Sequence, residues 1–302
     1  MPPSEKKSEH NVLVRNIIVA AGSSFANYIA DIVVYPLDTI NTWIKTSSRK
    51  DKIIRLTKKH IRKDGAGVLF RGINTQIYTG FFPSFVYFFC YEMSNRLCSK
   101  FLRYMHMEKY SVFIPTVTAT LSECTSLLIM VPMDALKTRL QLNSPLYQYP
   151  SIFAGLKEIV SKEGYLRLFK ASPLFIFHAL VFNTILFQSY ELFRIRQMKQ
   201  TGKKNEDLTF KDSLWNTLYA TVIAMSRTNP LDLIITRYQV IDSSMGKLSF
   251  RKVVKDVYKT DGWRGLNRGV WFRTFYGCLE ASLYLPVYEE LRKRYGFDFS
   301  NE

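Results

Sequence analysis

The chain has 302 residues and a formal charge of +17, from 42 Lys and Arg against 25 Asp and Glu. With 47% hydrophobic and 15% aromatic residues it is not a disordered basic tail. A basic balance of this size leaves two broad partners, nucleic acid or a membrane carrying anionic lipid. The cysteines Cys90, Cys98, Cys124 and Cys278 lie far apart with no C-x-x-C, which argues against a disulfide framework and a cysteine zinc site. No H-E-x-x-H, phosphate-binding glycine loop or G-x-S-x-G occurs. No catalytic residue, metal site or enzyme activity is therefore expected.

In chain order, Met1 to His10 is short and polar and reads as no signal peptide. An apolar segment, Leu13–Tyr35, runs into Pro36. A very basic stretch follows, and within it Ile53–Ile61 reads as a short amphipathic helix. A second apolar segment spans Ile73–Cys90. The order then recurs: Phe113–Val131 before Pro132, a polar stretch, and Pro173–Ser189. It recurs again as Leu214–Asn229 before Pro230, an amphipathic Phe250–Tyr258, and Phe272–Val287. Helices of about 17–23 residues are long enough to cross a hydrocarbon core. Six buried helices of a soluble bundle are the competing reading. The basic stretches predict loops on the electronegative side of the membrane, with both termini opposite. Because the charge is split among equivalent loops, nucleic acid ranks below a membrane as the partner.

Short markers repeat with the segments. Pro-x-Asp occurs at Pro36/Asp38, Pro132/Asp134 and Pro230/Asp232, with prolines 96 and 98 residues apart. Tyr91-Glu92, Tyr190-Glu191 and Tyr288-Glu289 are 99 and 98 apart, as are the pairs Asp64-Gly65, Glu163-Gly164 and Asp261-Gly262. A basic residue (Arg71, Lys170, Arg268) follows each of those acids by seven positions. Three units result: 1–102, 103–203 and 204–302. Proline inside a helix removes a hydrogen bond, so Pro36, Pro132 and Pro230 are expected to kink their helices. Acid and base at i, i+3 share a helix face. Such groups in a membrane usually face a bundle interior and find partners. Two rings of charge, one at each end of a central cavity, would give alternating access.

This triplicated pattern resembles the mitochondrial carrier family over nearly the whole chain. P-x-[DE]-x-x-[KR] is complete only from Pro132 to Lys137; Asn41 and Ile235 replace the base elsewhere. The [FY]-[DE]-x-x-[KR] motif is complete at Tyr190–Arg194 and Tyr288–Arg292, with Asn95 in the first unit. The resemblance implies an all-α membrane protein. It would have six transmembrane helices in three tandem two-helix repeats, pseudo-threefold symmetry and short amphipathic matrix helices. It would lie in the mitochondrial inner membrane with both termini toward the intermembrane space.

The resemblance also implies roles. The matrix gate would comprise Asp38, Asp134, Lys137 and Asp232, with Gln141 and Gln239 as braces and Lys45 at the third brace position. Asp38–Lys137 would be the one surviving pair, with Asp134 facing Ile235 and Asp232 facing Asn41. Arg139 or Arg237 are candidates to repair the ring. The cytoplasmic gate would comprise Tyr91, Glu92, Tyr190, Glu191, Arg194, Tyr288, Glu289 and Arg292, through pairs Glu92–Arg194 and Glu191–Arg292. Substrate contact points fall at Thr79, Gly80, His178, Ala179, Tyr276 and Gly277. No Lys or Arg stands there, which argues against a highly charged anion. Arg227 is the best stray cation for the lumen, and Glu280 needs a reason to stand among apolar neighbours. Arg71-Gly72 and Arg268-Gly269 would bind cardiolipin; no cofactor is implied. The expected activity is carriage of an unidentified small solute. The rival is a transport-inactive subunit or adaptor of a larger inner-membrane complex, motivated by the broken ring and the uncharged contact points.

Overall fold

The computed structural model describes residues 3–47, 52–105, 113–142, 149–202, 209–240 and 250–295. Six long helices dominate: α1 (Pro3–Thr46), α3 (Phe82–Tyr104), α4 (Ile114–Gln141), α6 (Ser172–Thr201), α7 (Phe210–Val240) and α9 (Val270–Tyr295). Each unit contributes two of them and one shorter helix between: α2 (Ile53–Asp64), α5 (Ile152–Glu163) and α8 (Phe250–Leu266). The long helices pack in chain order and α9 closes onto α1, giving a ring. At the proline end α1, α4 and α7 also touch one another across the axis.

The ring is reversed relative to a soluble bundle. Its outer surface exposes Phe25, Val33, Leu128, Ile176, Tyr219, Trp271 and Phe275. Its interior buries Ser23, Ser24, Thr118, Ser122, Thr228 and Asn229. Small hydroxyls satisfy themselves on their own helices, as in Ser24 to the Ala20 carbonyl and Ser122 to the Thr118 carbonyl. They leave room for close helix approach. Among the described residues three spans are long and apolar enough to cross a membrane: Val14–Thr46, Ile114–Gln141 and Tyr165–Thr201. The sequence reading expected six. Helices α3, α7 and α9 have the length, and polar residues such as Glu92, Asn229, Arg273 and Glu280 lower their hydropathy.

The prolines do not end their helices. Pro36, Pro132 and Pro230 lie inside α1, α4 and α7, which continue about two and a half to three turns beyond. Each missing N–H removes one backbone bond while the helix runs on. The residue before the proline then fastens the loop in two units. Tyr35 donates from its hydroxyl to the Arg71 carbonyl at 3.0 Å. Asn229 donates to the Leu266 and Arg268 carbonyls at 3.2 and 3.3 Å. The backbone of the basic residue that follows the acid-glycine pair is thus anchored at equivalent places in these two units.

The acid-glycine markers also have a backbone cause. Gly65, Gly164 and Gly262 take φ of 79°, 83° and 66°, turning the chain out of the short helix. The helix α5, absent from the sequence expectations, starts at Ser151, whose hydroxyl accepts from Ala154 N at 3.1 Å. Ile159 of α5 packs with Leu136 of α4 and Leu168, and Val253 and Val257 of α8 pack on Leu233 and Ile234 of α7. Full burial of such a side chain contributes about 1.5–3 kcal/mol. The helix α2 buries no residue fully and meets α1 through His60, stacked on Trp43 at 4.3 Å.

Candidate functional site: a polar chamber closed at the proline end

Just past the prolines, the three units are bridged in pairs. Lys137 Nζ of α4 lies 2.8 Å from Asp38 Oδ2 of α1. Lys45 Nζ of α1 lies 2.6 Å from Asp232 Oδ2 of α7. Gln239 Nε2 of α7 donates to Asp134 Oδ2 of α4 at 2.9 Å. Gln141 adds a donor to Asp38 at 3.0 Å and accepts from Thr42 at 2.8 Å. All three interfaces are therefore joined, two by ion pairs and one by an amide.

This corrects the expectation of a ring that keeps one link. Asp232 does not depend on Asn41, which turns toward Tyr276 at 3.5 Å. Lys45 takes the base's role from one turn further along α1. Lysine has the reach that the nearer asparagine lacks, and its side chain is 7% exposed. A second cation, Arg273 of α9, sits 2.8 Å from the same carboxylate through Nε. Its Nη1 donates to the Met225 carbonyl and Thr228 hydroxyl, and Nη2 lies 3.4 Å from His178 Nε2. Sequence reasoning missed Arg273. Its signal was a charge at the fourth position of an otherwise apolar helix start, Val270-Trp-Phe-Arg273.

Neither proposed repair reaches the ring. Arg139 pairs bidentately with Glu163 at 2.5 and 3.1 Å, and Arg167 joins from 2.8 Å. Arg237 donates to the Lys45 and Ser47 carbonyls, holding the end of α1. Asp134 has no base within ion-pair distance among the described residues, and Ile235, which the family pattern sets opposite it, is buried and carries no side-chain donor.

Inside the closure lies a cavity of about 480 Å³. Thr79, His178, Ala179, Tyr276 and Glu280 line it. Gly80 and Gly277 do not; they are buried between helices. A Cβ on Gly80 would stand 2.5 Å from Asp31 Oδ2, and one on Gly277 would strike Met225. Thr79 and Gly80 belong to a π-helical turn, Ile77–Phe81, that widens the start of α3. Arg227 is exposed on the outer face of α7 and does not line the cavity. It points away because Thr228 and Ala224 occupy the inner face. The cations that line the cavity are Lys137 and Arg273.

At the Tyr-Glu end the expected pair Glu191–Arg292 involves a side chain outside the described residues. Arg194 lies 2.6 Å from Glu191 of its own helix. Glu92 is buried and accepts from the Tyr288 hydroxyl at 3.2 Å, joining α3 to α9. Tyr91 stacks on Tyr87, and Tyr190 lies half-buried on α6. The side chains of Glu289 and Arg292 lie outside the described residues. At the loop turns, Gly72 and Gly269 take φ of 84° and 77°. The Arg268 guanidinium donates to the Ser47 carbonyl and hydroxyl at 2.8 and 2.9 Å.

A family model described as mitochondrial carrier protein matches residues 14–102, 108–201 and 206–299. The chain belongs to the mitochondrial carrier family. Its threefold ring and polar chamber are thus a carrier fold. Mitoferrin of Dictyostelium discoideum is 27% identical over 293 residues, covering 91% of this chain and 92% of its own length. A probable S-adenosylmethionine carrier of Arabidopsis thaliana chloroplasts is 23% identical over 272 residues, covering 89% and 71%. A mitochondrial adenyl nucleotide antiporter of Danio rerio is 25% identical over 281 residues, covering 91% and 58%. Family members are transporters, and the fold requires no cofactor.

Proposed function

We propose that this carrier moves a small solute across the mitochondrial inner membrane by alternating access about the central chamber. The observation that supports this most is the completed ring. Asp38–Lys137, Asp232–Lys45 and Asp134–Gln239 link the three units in pairs beneath a chamber of about 480 Å³. Such a ring is a reversible latch: opening it exchanges buried pairs for hydrated ones while the far end closes. In this reading the proline end faces the matrix and both termini face the intermembrane space. A lipid phosphate, as on cardiolipin, sits at the Gly72 and Gly269 turns. The relatives' names point to different solutes, so kinship leaves the cargo open.

The competing role, an inactive subunit of a larger inner-membrane complex, rests on a broken ring and uncharged contact points. With Lys45 paired to Asp232 the ring no longer supports it. The test is exchange in proteoliposomes loaded with a metabolite mixture. Solute-dependent efflux is expected, and Asp38→Asn with Lys137→Met should abolish it. No exchange of any solute, together with purification only inside a large assembly, would favour the competing role.

A further inference from the structure

Although the chain as a whole is strongly basic, its chamber is acidic. Of the acids lining it, Asp38 is neutralised by Lys137. Arg273, the other lining base besides His178, is committed to Asp232. Asp31, Glu123, Asp134 and Glu280 remain without an ion pair among the described residues. They are not one patch. Asp31 of α1 and Glu280 of α9 stand carboxyl to carboxyl within hydrogen-bonding reach on one side of the chamber. Asn27 donates to Asp31 at 3.4 Å and holds that wall in place. Glu123 stands on α4 with no hydrogen-bond or ionic partner among the described residues.

A second, independent feature also looks for a ligand. Asn183 of α6 lines the same chamber, is only 6% exposed, and its amide nitrogen has no hydrogen-bond partner. A buried amide donor left unmade is costly. The rings of Tyr87, Phe182 and Tyr284 line the same chamber. The described residues include no group of three or more His, Cys, Asp or Glu placed to hold a metal ion. Separated carboxylates and aromatic faces in one chamber suit a cation with its charge on nitrogen or sulfur, not a bare metal.

We infer that the chamber takes a small organic cation bearing a hydrogen-bond acceptor, with Glu123 and the Asp31–Glu280 pair facing its charge and the Asn183 amide its acceptor. This rests on the transport reading and names the cargo class for that same site. A desolvated cation between two walls of negative charge gains charge-assisted contacts, whereas an anion meets uncompensated carboxylates and is rejected.

The test is thermal shift of the purified full chain with arginine, choline and agmatine, against malate, phosphate and ATP, and against Mn²⁺. At least one organic cation should raise Tm. Glu123→Gln and Glu280→Gln should each weaken that response about tenfold or more. Glu123→Lys should abolish it and let malate or phosphate stabilise instead, a reversal that a merely structural glutamate would not produce. Stabilisation by anions alone, or by Mn²⁺ alone, overturns the inference while leaving the carrier reading intact. So does an undiminished cation response in both glutamine variants. No response to any solute, with no exchange in proteoliposomes, would sink both.

Discussion

Asp232 has two cations, and that sharing predicts a particular non-additivity. In Lys45→Met, Arg273 still holds the carboxylate from 2.8 Å. What is lost is one charge-assisted bond, about 1.5–3 kcal/mol. Arg273→Met alone leaves Lys45 at 2.6 Å. In the double variant Asp232 keeps no lysine or arginine within ion-pair distance among the described residues. Stripping the last partner from a desolvated charge costs about 3–5 kcal/mol. The double variant should therefore be less stable than the two single effects sum to, by about 1–3 kcal/mol. A first loss of this size corresponds to a fall in Tm of roughly 3–12 °C. Adding Asp232→Asn to the double variant should recover stability, because it removes the uncompensated charge. By contrast Lys137→Met removes the cation from Asp38 in one step and should cost about 3–5 kcal/mol at once. Thermal unfolding of the six proteins in one detergent decides the matter. Strict additivity of Lys45→Met and Arg273→Met, or no rescue by Asp232→Asn, would refute the shared-cation arrangement.

Other outcomes follow from the same geometry. Glu163→Gln should cost about 3–5 kcal/mol, since it leaves Arg139 buried beside a neutral partner; chemical denaturation in detergent measures it. Arg227→Ala should change stability by no more than about 0.5 kcal/mol and leave exchange in proteoliposomes intact, because that side chain lies outside the chamber. Burial lowers the pKa of the His60 imidazole below its ordinary 6.5, outweighing Asp64. The unfolded chain then binds the proton more readily than the folded one. The stacking of α2 on Trp43 contributes fully above pH 6.5 and weakens as pH falls through the lower folded value. Trp43 emission should change over that window in the wild type and not in His60→Gln.

Much of the architecture was legible in the order of residues. Pro-x-Asp, acid-glycine and Tyr-Glu markers at a common period define three copies because each marks a backbone requirement or a charge that symmetry repeats. Gly65, Gly164 and Gly262 recur because each turn needs positive φ. Lys137 and Asp38 were paired by family pattern, and the fold brings them to 2.8 Å. The helix α5 escaped because its lysines, Lys157 and Lys162, are matched by Glu158 and Glu163, so no basic run marks it.

What lay beyond the sequence is which cation meets which acid. Lys45 stood at a brace position and Arg273 in an apolar helix start, and neither motif names them as partners of Asp232. Arg227 looked nearer in sequence and faces outward. A helix turns about 100° per residue, so a one-residue difference decides between lumen and lipid, and side-chain reach then decides between neighbours across the axis. Local pattern specifies the helices and their copies. Only closure of six of them into a ring puts residues some 190 to 230 positions apart within one hydrogen bond, because that distance is set by packing and not by the chain.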